Sequence, residues 1–171
     1  MKKEFLEKEI WMLTIGAAFQ RANVYCLSDN NEAEKKKFKT ALHKNLIALV
    51  KNAYHTEVSE ESHIENIWSI SKHSEDYASI LTNGKLNFGV SQKMLNLYLK
   101  YQWCLGTIPT PPHFPVDRII QNKLGISIPV AWTQMKDEVP YLKVINKARK
   151  VNEEVKHDSL SELELHLFSR N

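Results

Sequence analysis

An all-α fold is what this chain of 171 residues predicts, and three observations carry the prediction. Apolar residues recur at helical spacing along most of its length. Only 5 glycines and 6 prolines interrupt that pattern, and most of the prolines fall between residues 109 and 115. Helix start and stop signals flank the periodic stretches. Together they predict long helices broken by one structured loop, in a single helical domain over 1–171. A chain of this size buries most of its apolar surface when it folds.

The elements follow in order. Residues 3–27 place Phe5, Leu6, Ile10, Leu13, Ala17 and either Phe19 or Gln20 near one face, and Asp29-Asn30 closes this helix and opens the next. Residues 31–55 carry Phe38, Leu42, Leu46, Leu49, Val50 and Ala53 on one side, with Lys35, Lys36, Lys37, Lys39, Lys44 and Lys51 on the other. Glu32 and Glu34 at helical spacing weaken the field of those lysines, so they read as a solvated face. Ser62 with Glu65 has the spacing of a capping box and predicts a third helix over 62–82, with Asn83-Gly84 as a turn.

Residues 91–105 are apolar on nearly every face, through Met94, Leu95, Leu97, Tyr98, Leu99, Tyr101, Trp103, Cys104 and Leu105. A helix of that kind belongs in the middle of a domain. Asp117 suits the N-cap of a helix over 118–124, with Gly125 as its stop. Thr133 or Gln134 starts a further stretch that Pro140 restarts as a first helical residue. Ser159 with Glu162 forms a second capping box, opening a C-terminal helix to about residue 169.

Composition narrows the function classes. Apolar residues make up 43% and charged residues 25%, as in ordinary globular proteins. A net charge of +3 and a pI near 8.7 permit contact with nucleic acid without a strong electrostatic footprint. Cys26 and Cys104 offer neither a disulfide framework nor a CxxC metal site, which suits a reducing, cytoplasmic setting. The charged start MKKEFLEKEIW is unlike a secretory leader, and no apolar run approaches a membrane span. The seven histidines show no HExxH or similar pairing, so no metal site is expected.

The densest chemistry lies between Phe88 and Asp117, FGVSQKMLNLYLKYQWCLGTIPTPPHFPVD. Lys93 stands at the start of the apolar helix, where a cation opposes the macrodipole and burial costs it hydration. A lysine kept in such a place is a candidate nucleophile. Asp117 is a natural cap, and capping is compatible with a role in chemistry. Asn96 and Lys100 lie near the face of Lys93, so a second polar site residue is expected among them.

The run Gly89-Val90-Ser91-Gln92-Lys93, a buried helix, and then Phe114-Pro115-Val116-Asp117 resembles the core of the helix-hairpin-helix DNA glycosylases. The nearest likeness is to the 8-oxoguanine DNA glycosylases. It covers residues 84 to 124 or so, with Ser91 in place of the second hairpin glycine and Asn87-Phe88 in place of the usual Leu-Pro lead-in. The resemblance implies that Lys93 attacks the sugar C1′ and forms a Schiff base that permits strand cleavage. It implies that Asp117 activates the lysine or stabilises the oxocarbenium charge. It further implies that Gly89, Val90, Ser91 and Gln92 form a hairpin whose backbone meets damaged duplex DNA. A flipped base would need an aromatic pocket, for which Trp103, His113, Phe114 and Trp132 are the candidates. That chemistry requires no metal or organic cofactor. The alternative is a non-catalytic helical module for nucleic-acid or protein binding that retains the hairpin core.

Overall fold

The computed structural model describes residues 1–26 and 31–168, and the fold is all-α. In chain order the described helices are α1 (Lys2–Phe19), α2 (Glu32–Ala53), α3 (Glu60–His73), α4 (Phe88–Cys104), α5 (Arg118–Lys123), α6 (Glu138–Val155) and α7 (Leu160–Leu167). Two 3-10 segments, Ser74–Ile80 and Trp132–Gln134, precede α4 and α6. No described helix is long and apolar enough to cross a membrane.

The apolar helix lies at the centre, as its composition requires. Phe88, Val90, Met94, Leu95, Tyr98 and Leu99 of α4 are all buried. They join one cluster with Ile10, Trp11 and Ile15 of α1, Phe38, Leu42 and Leu46 of α2, Ile67 and Ile70 of α3, and Tyr141, Val144 and Ile145 of α6. In α2 the inward face is the expected one, led by Phe38, Leu42, Leu46 and Val50.

Helix α1 turns a different face inward from the expected one. Ile10, Trp11, Thr14, Ile15 and Ala18 are buried, whereas Phe5, Leu6 and Leu13 stay 61%, 45% and 48% exposed. Polar anchors decide the rotation. Glu7 accepts hydrogen bonds from the Tyr98 hydroxyl (2.6 Å) and the Gln102 amide (3.1 Å), and Trp11 stacks on His43 with ring centres 4.6 Å apart. The helix also ends at Phe19 instead of reaching residue 27. Beyond it, Arg21 and Asn23 take positive φ, and Tyr25 bridges to Leu81. The expected boundary at Asp29-Asn30 lies outside the described residues.

The third helix starts earlier and stops sooner than 62–82. Ser59, not Ser62, is the cap, its hydroxyl accepting from the Ser62 amide at 3.2 Å. After His73 the backbone tightens, because Ser71 and Ser74 grip a residue far along the chain. The Ser71 hydroxyl donates to the Leu86 carbonyl (2.6 Å), and the Leu86 amide donates to the Ser74 hydroxyl (2.8 Å). Asn83-Gly84 turns as expected, with Gly84 at φ 70°.

The start of α4 corrects the hairpin expectation. Asn87 caps the helix by accepting from the Val90 amide at 2.8 Å, so Gly89, Val90, Ser91 and Gln92 lie in its first turns. All four are buried. Helical φ suits a serine, and the Ser91 hydroxyl donates back to the Asn87 carbonyl at 3.0 Å. The amides of this first turn already have acceptors: Gly89 N donates to the Met135 carbonyl, Val90 N to the Asn87 side chain and Ser91 N to the Asn87 carbonyl. The turn that precedes α4 lies instead at residues 82–85.

The later elements begin where capping chemistry places them. Asp117 caps α5 (its Oδ1 accepts from Ile120 N at 3.0 Å), and Gly125 follows the helix at φ 71°. Asp137 caps α6, which makes Pro140 its third residue, not its first. There the missing N–H is still among the unpaired ones of the first turn. Ser159 caps α7 by accepting from the Glu162 amide at 3.0 Å.

Candidate active site around Lys93 and Asp117

Lys93 and Asp117 meet. The Lys93 amine donates to Asp117 Oδ2 at 2.6 Å, with side-chain exposures of 10% and 24%. One carboxylate thus does two things: Oδ1 caps α5 and Oδ2 holds the amine. Both oxygens are anchored to different elements, so the group is oriented before any ligand arrives. Hydrogen bonds of this charge-assisted kind are the short, strong ones.

An aromatic wall completes the arrangement. The Lys93 amine lies 5.5 Å from the centre of the Trp132 ring, within range of a cation–π contact. The segment carrying Trp132 is tied to the head of α4 by two hydrogen bonds. Gly89 N donates to the Met135 carbonyl (2.9 Å), and the Asn87 amide donates to the Thr133 carbonyl (2.7 Å). A Cβ on Gly89 would stand 1.7 Å from the Trp132 carbonyl oxygen. Gly89 is therefore needed for close approach of this segment.

A second ion pair lies beside the first. Lys100, two turns beyond Lys93 on α4, donates to Glu164 of α7 at 2.6 Å, with side-chain exposures of 11% and 6%. Burial pushes the Glu164 carboxyl up, while the Lys100 ammonium and, from farther off, Lys93 pull it down. The Lys100 amine also sits 4.0 Å from the centre of the Phe168 ring. Asp117, Ile120, Lys123, Glu164, Leu167 and Phe168 line a cavity of about 30 Å³ between α5 and α7. That is space for one or two waters.

Removing one partner of the second pair tests its worth. Lys100→Met is expected to destabilise the fold by about 3 kcal/mol at pH 7, since it leaves Glu164 buried and unpaired. Urea unfolding followed by circular dichroism measures the loss. The loss shrinks toward acid pH, where Glu164 takes up a proton.

Of the other expected site residues, Trp132 alone stands at Lys93. Trp103 is near the far end of α4, ten residues and about 15 Å of helix away. Phe114 is buried in the core. His113 is buried too, 1% exposed, in a polar network that crosses the domain. In it the Asn66 amide donates to the Tyr54 hydroxyl (3.2 Å), which therefore offers its hydrogen to His63 Nδ1 (2.7 Å). By the same logic the Asn96 amide donates to the Tyr141 hydroxyl (3.0 Å), which offers its hydrogen to His113 Nδ1 (2.9 Å). His113 Nε2–H then points to Glu60 at 2.7 Å, and Arg149 holds that carboxylate from the other side. Asn96 thus belongs to the network, while Lys100 is the polar neighbour at the site. No group of three potential metal ligands exists among the described residues.

The spacing of Lys100, seven residues after Lys93 on an apolar helix, carried a signal: two buried cations require two carboxylates. Glu164 lies 64 residues further on, and nothing local assigns it to Lys100. No protein-family model, no curated protein and no solved structure matches the chain.

Proposed function

We propose that this protein is a cytoplasmic DNA glycosylase with AP-lyase activity, excising an oxidised purine through a Schiff base on Lys93. The observation that carries the reading is the 2.6 Å contact between a nearly buried lysine amine and the capping carboxylate of a second helix. The two residues the resemblance pairs are in contact although separated in sequence. Asp117 is placed to take a proton from the amine, which then attacks C1′ as the base departs. The resulting C1′ aminal opens at its bond to the ring oxygen O4′, which takes up the proton, and the imine is left on Lys93. Trp132, beside the amine, is the side chain available for stacking on an extruded base.

A groove of about 440 Å³ on the outer side of the Trp132 segment adds support for a polyanionic partner. Lys85, Lys136, Asn83, Asn87 and Trp68 line it, and it borders the turn that precedes α4. Lys85 is paired with Glu75 at 2.9 Å and the Trp68 indole donates to Glu138 at 3.1 Å, so Lys136 and the amides are the groups that suit a nucleic-acid backbone.

The small cavity beside Asp117 favours a second reading, a helical binding module in which both ion pairs are structural. Borohydride trapping on duplexes carrying 8-oxoguanine, uracil or an abasic site separates the two. The enzyme reading expects a covalent adduct with wild type and none with Lys93→Ala. Absence of both adduct and base release from folded wild-type protein would leave the binding module.

A further inference from the structure

We infer that Gln92 is the positioning residue for the Lys93–Asp117 pair, its carboxamide fixing the Val116 backbone against α4 so that the aspartate arrives at the amine. Gln92 is fully buried. Its Nε2 donates to the Val116 carbonyl at 2.8 Å, and its Oε1 accepts from the Val116 amide at 3.1 Å. A primary amide is the one side-chain group that pairs with both backbone groups of a single residue, as a neighbouring strand would. The bracket joins the residue immediately before Lys93 to the residue immediately before Asp117. A shift of Val116 along α4 would therefore carry Asp117 with it.

The same device recurs once around the site, which argues against accident. Gln121 of α5, 1% exposed, donates to the Val130 carbonyl (2.8 Å) and accepts from the Val130 amide (2.9 Å). It also donates to the Asp117 carbonyl at 3.0 Å. The chain is thus closed into a circuit: α4 holds Val116 through Gln92, α5 holds Val130 through Gln121, and the following segment returns to α4 at Asn87 and Gly89. Lys93, Asp117 and Trp132 all lie on that circuit. Asn96 donates to Gln92 Oε1 at 3.2 Å and so fixes which end of the carboxamide is oxygen.

The inference takes its chemistry from the proposed glycosylase reading, and its geometry stands apart from that reading. The test uses lysine acetylation with an N-hydroxysuccinimide ester, read by peptide mass spectrometry on the whole protein. Lys100 is the internal reference: it is on the same helix and similarly covered, but its partner is Glu164 of α7. In Gln92→Met, which loses both hydrogen bonds to Val116, Lys93 is expected to label about tenfold faster or more, with Lys100 unchanged. Gln92→Glu keeps the acceptor for the Val116 amide and is expected to fall between wild type and Gln92→Met. It also decides the matter if Gln92→Met does not fold.

Lys93 labelling that stays at the wild-type rate, or that rises in step with Lys100, overturns the inference. Borohydride trapping of the same variants reads the chemical consequence, with adduct formation expected to slow by about the same factor. A wild-type protein that forms no adduct overturns the enzyme reading, while the labelling ratio still decides whether Gln92 sets the pair.

Discussion

Gly89→Ala is expected to destabilise the protein by about 3 kcal/mol or more, the severe end of overpacking. Two effects oppose each other at this position. Alanine is the better helix former by roughly 1 kcal/mol, so propensity alone predicts a gain. The new Cβ, however, would stand 1.7 Å from the Trp132 carbonyl oxygen, 2.7 Å from its carbon and 2.9 Å from the Met135 Cβ. Two of these three atoms are backbone, held by the Gly89–Met135 hydrogen bond, so no side-chain rotation relieves the overlap. The clash wins, and the 132–135 segment is pushed off α4. Urea unfolding gives the magnitude, and a change in tryptophan emission reports the movement of Trp132. A variant as stable as wild type would mean that the segment slides without cost, and the circuit around Lys93 would lose its rigidity.

Acidification is the second large effect. Burial drives the His63 imidazole down to about 3. It drives His113 down to about 4, although Glu60 resists the change. Each ring is therefore neutral in the folded chain while the unfolded chain takes up protons below about pH 6.5. The unfolded state binds more protons in that window, so stability rises with pH there and falls on acidification. At pH 5 the loss amounts to roughly 2 kcal/mol for each ring, and it continues until the folded-state values are reached. Urea midpoints measured from pH 7.5 to 4.5 should fall steadily below pH 6.5. His63→Phe removes one of the two contributions and flattens the curve at the expense of the Tyr54 hydroxyl's acceptor. A flat wild-type curve would show that both rings are protonated in the folded state, which the Tyr54 and Tyr141 hydroxyls oppose by donating to them.

How much of this was legible depended on the range of the interaction. Asp117, Ser159 and the Asn83-Gly84 turn act within four residues, and each was readable from its neighbours. The central place of α4 followed from its all-round apolarity. By contrast, α1 carries two usable apolar stripes, and the choice between them is made by Tyr98 and Gln102 on another helix. The early end of α3 is decided by Leu86, which Ser71 and Ser74 hold across a turn. Gly89 was singled out as a position that needs a small residue, and in the fold its missing Cβ makes room for Trp132, which nothing local announces. His113 and Phe114 were candidates for an aromatic base pocket, yet the proline-rich loop that carries them folds inward and buries both. Gln92 and Gln121 gave no sequence signal of their bracketing role, since pairing with backbone leaves no trace in residue type.

The two buried lysines of α4 also bear on the order in which the protein is made. Lys93 leaves the ribosome 24 residues before Asp117, and Lys100 leaves it 64 residues before Glu164. At roughly 5–20 residues per second, the central helix waits seconds for its second counter-charge. Until α7 is synthesised, packing α4 completely would strand an ammonium in an apolar interior. The N-terminal helices therefore have a scaffold they cannot close on. Consolidation of the core around Lys100 is therefore expected only once α7 has been made.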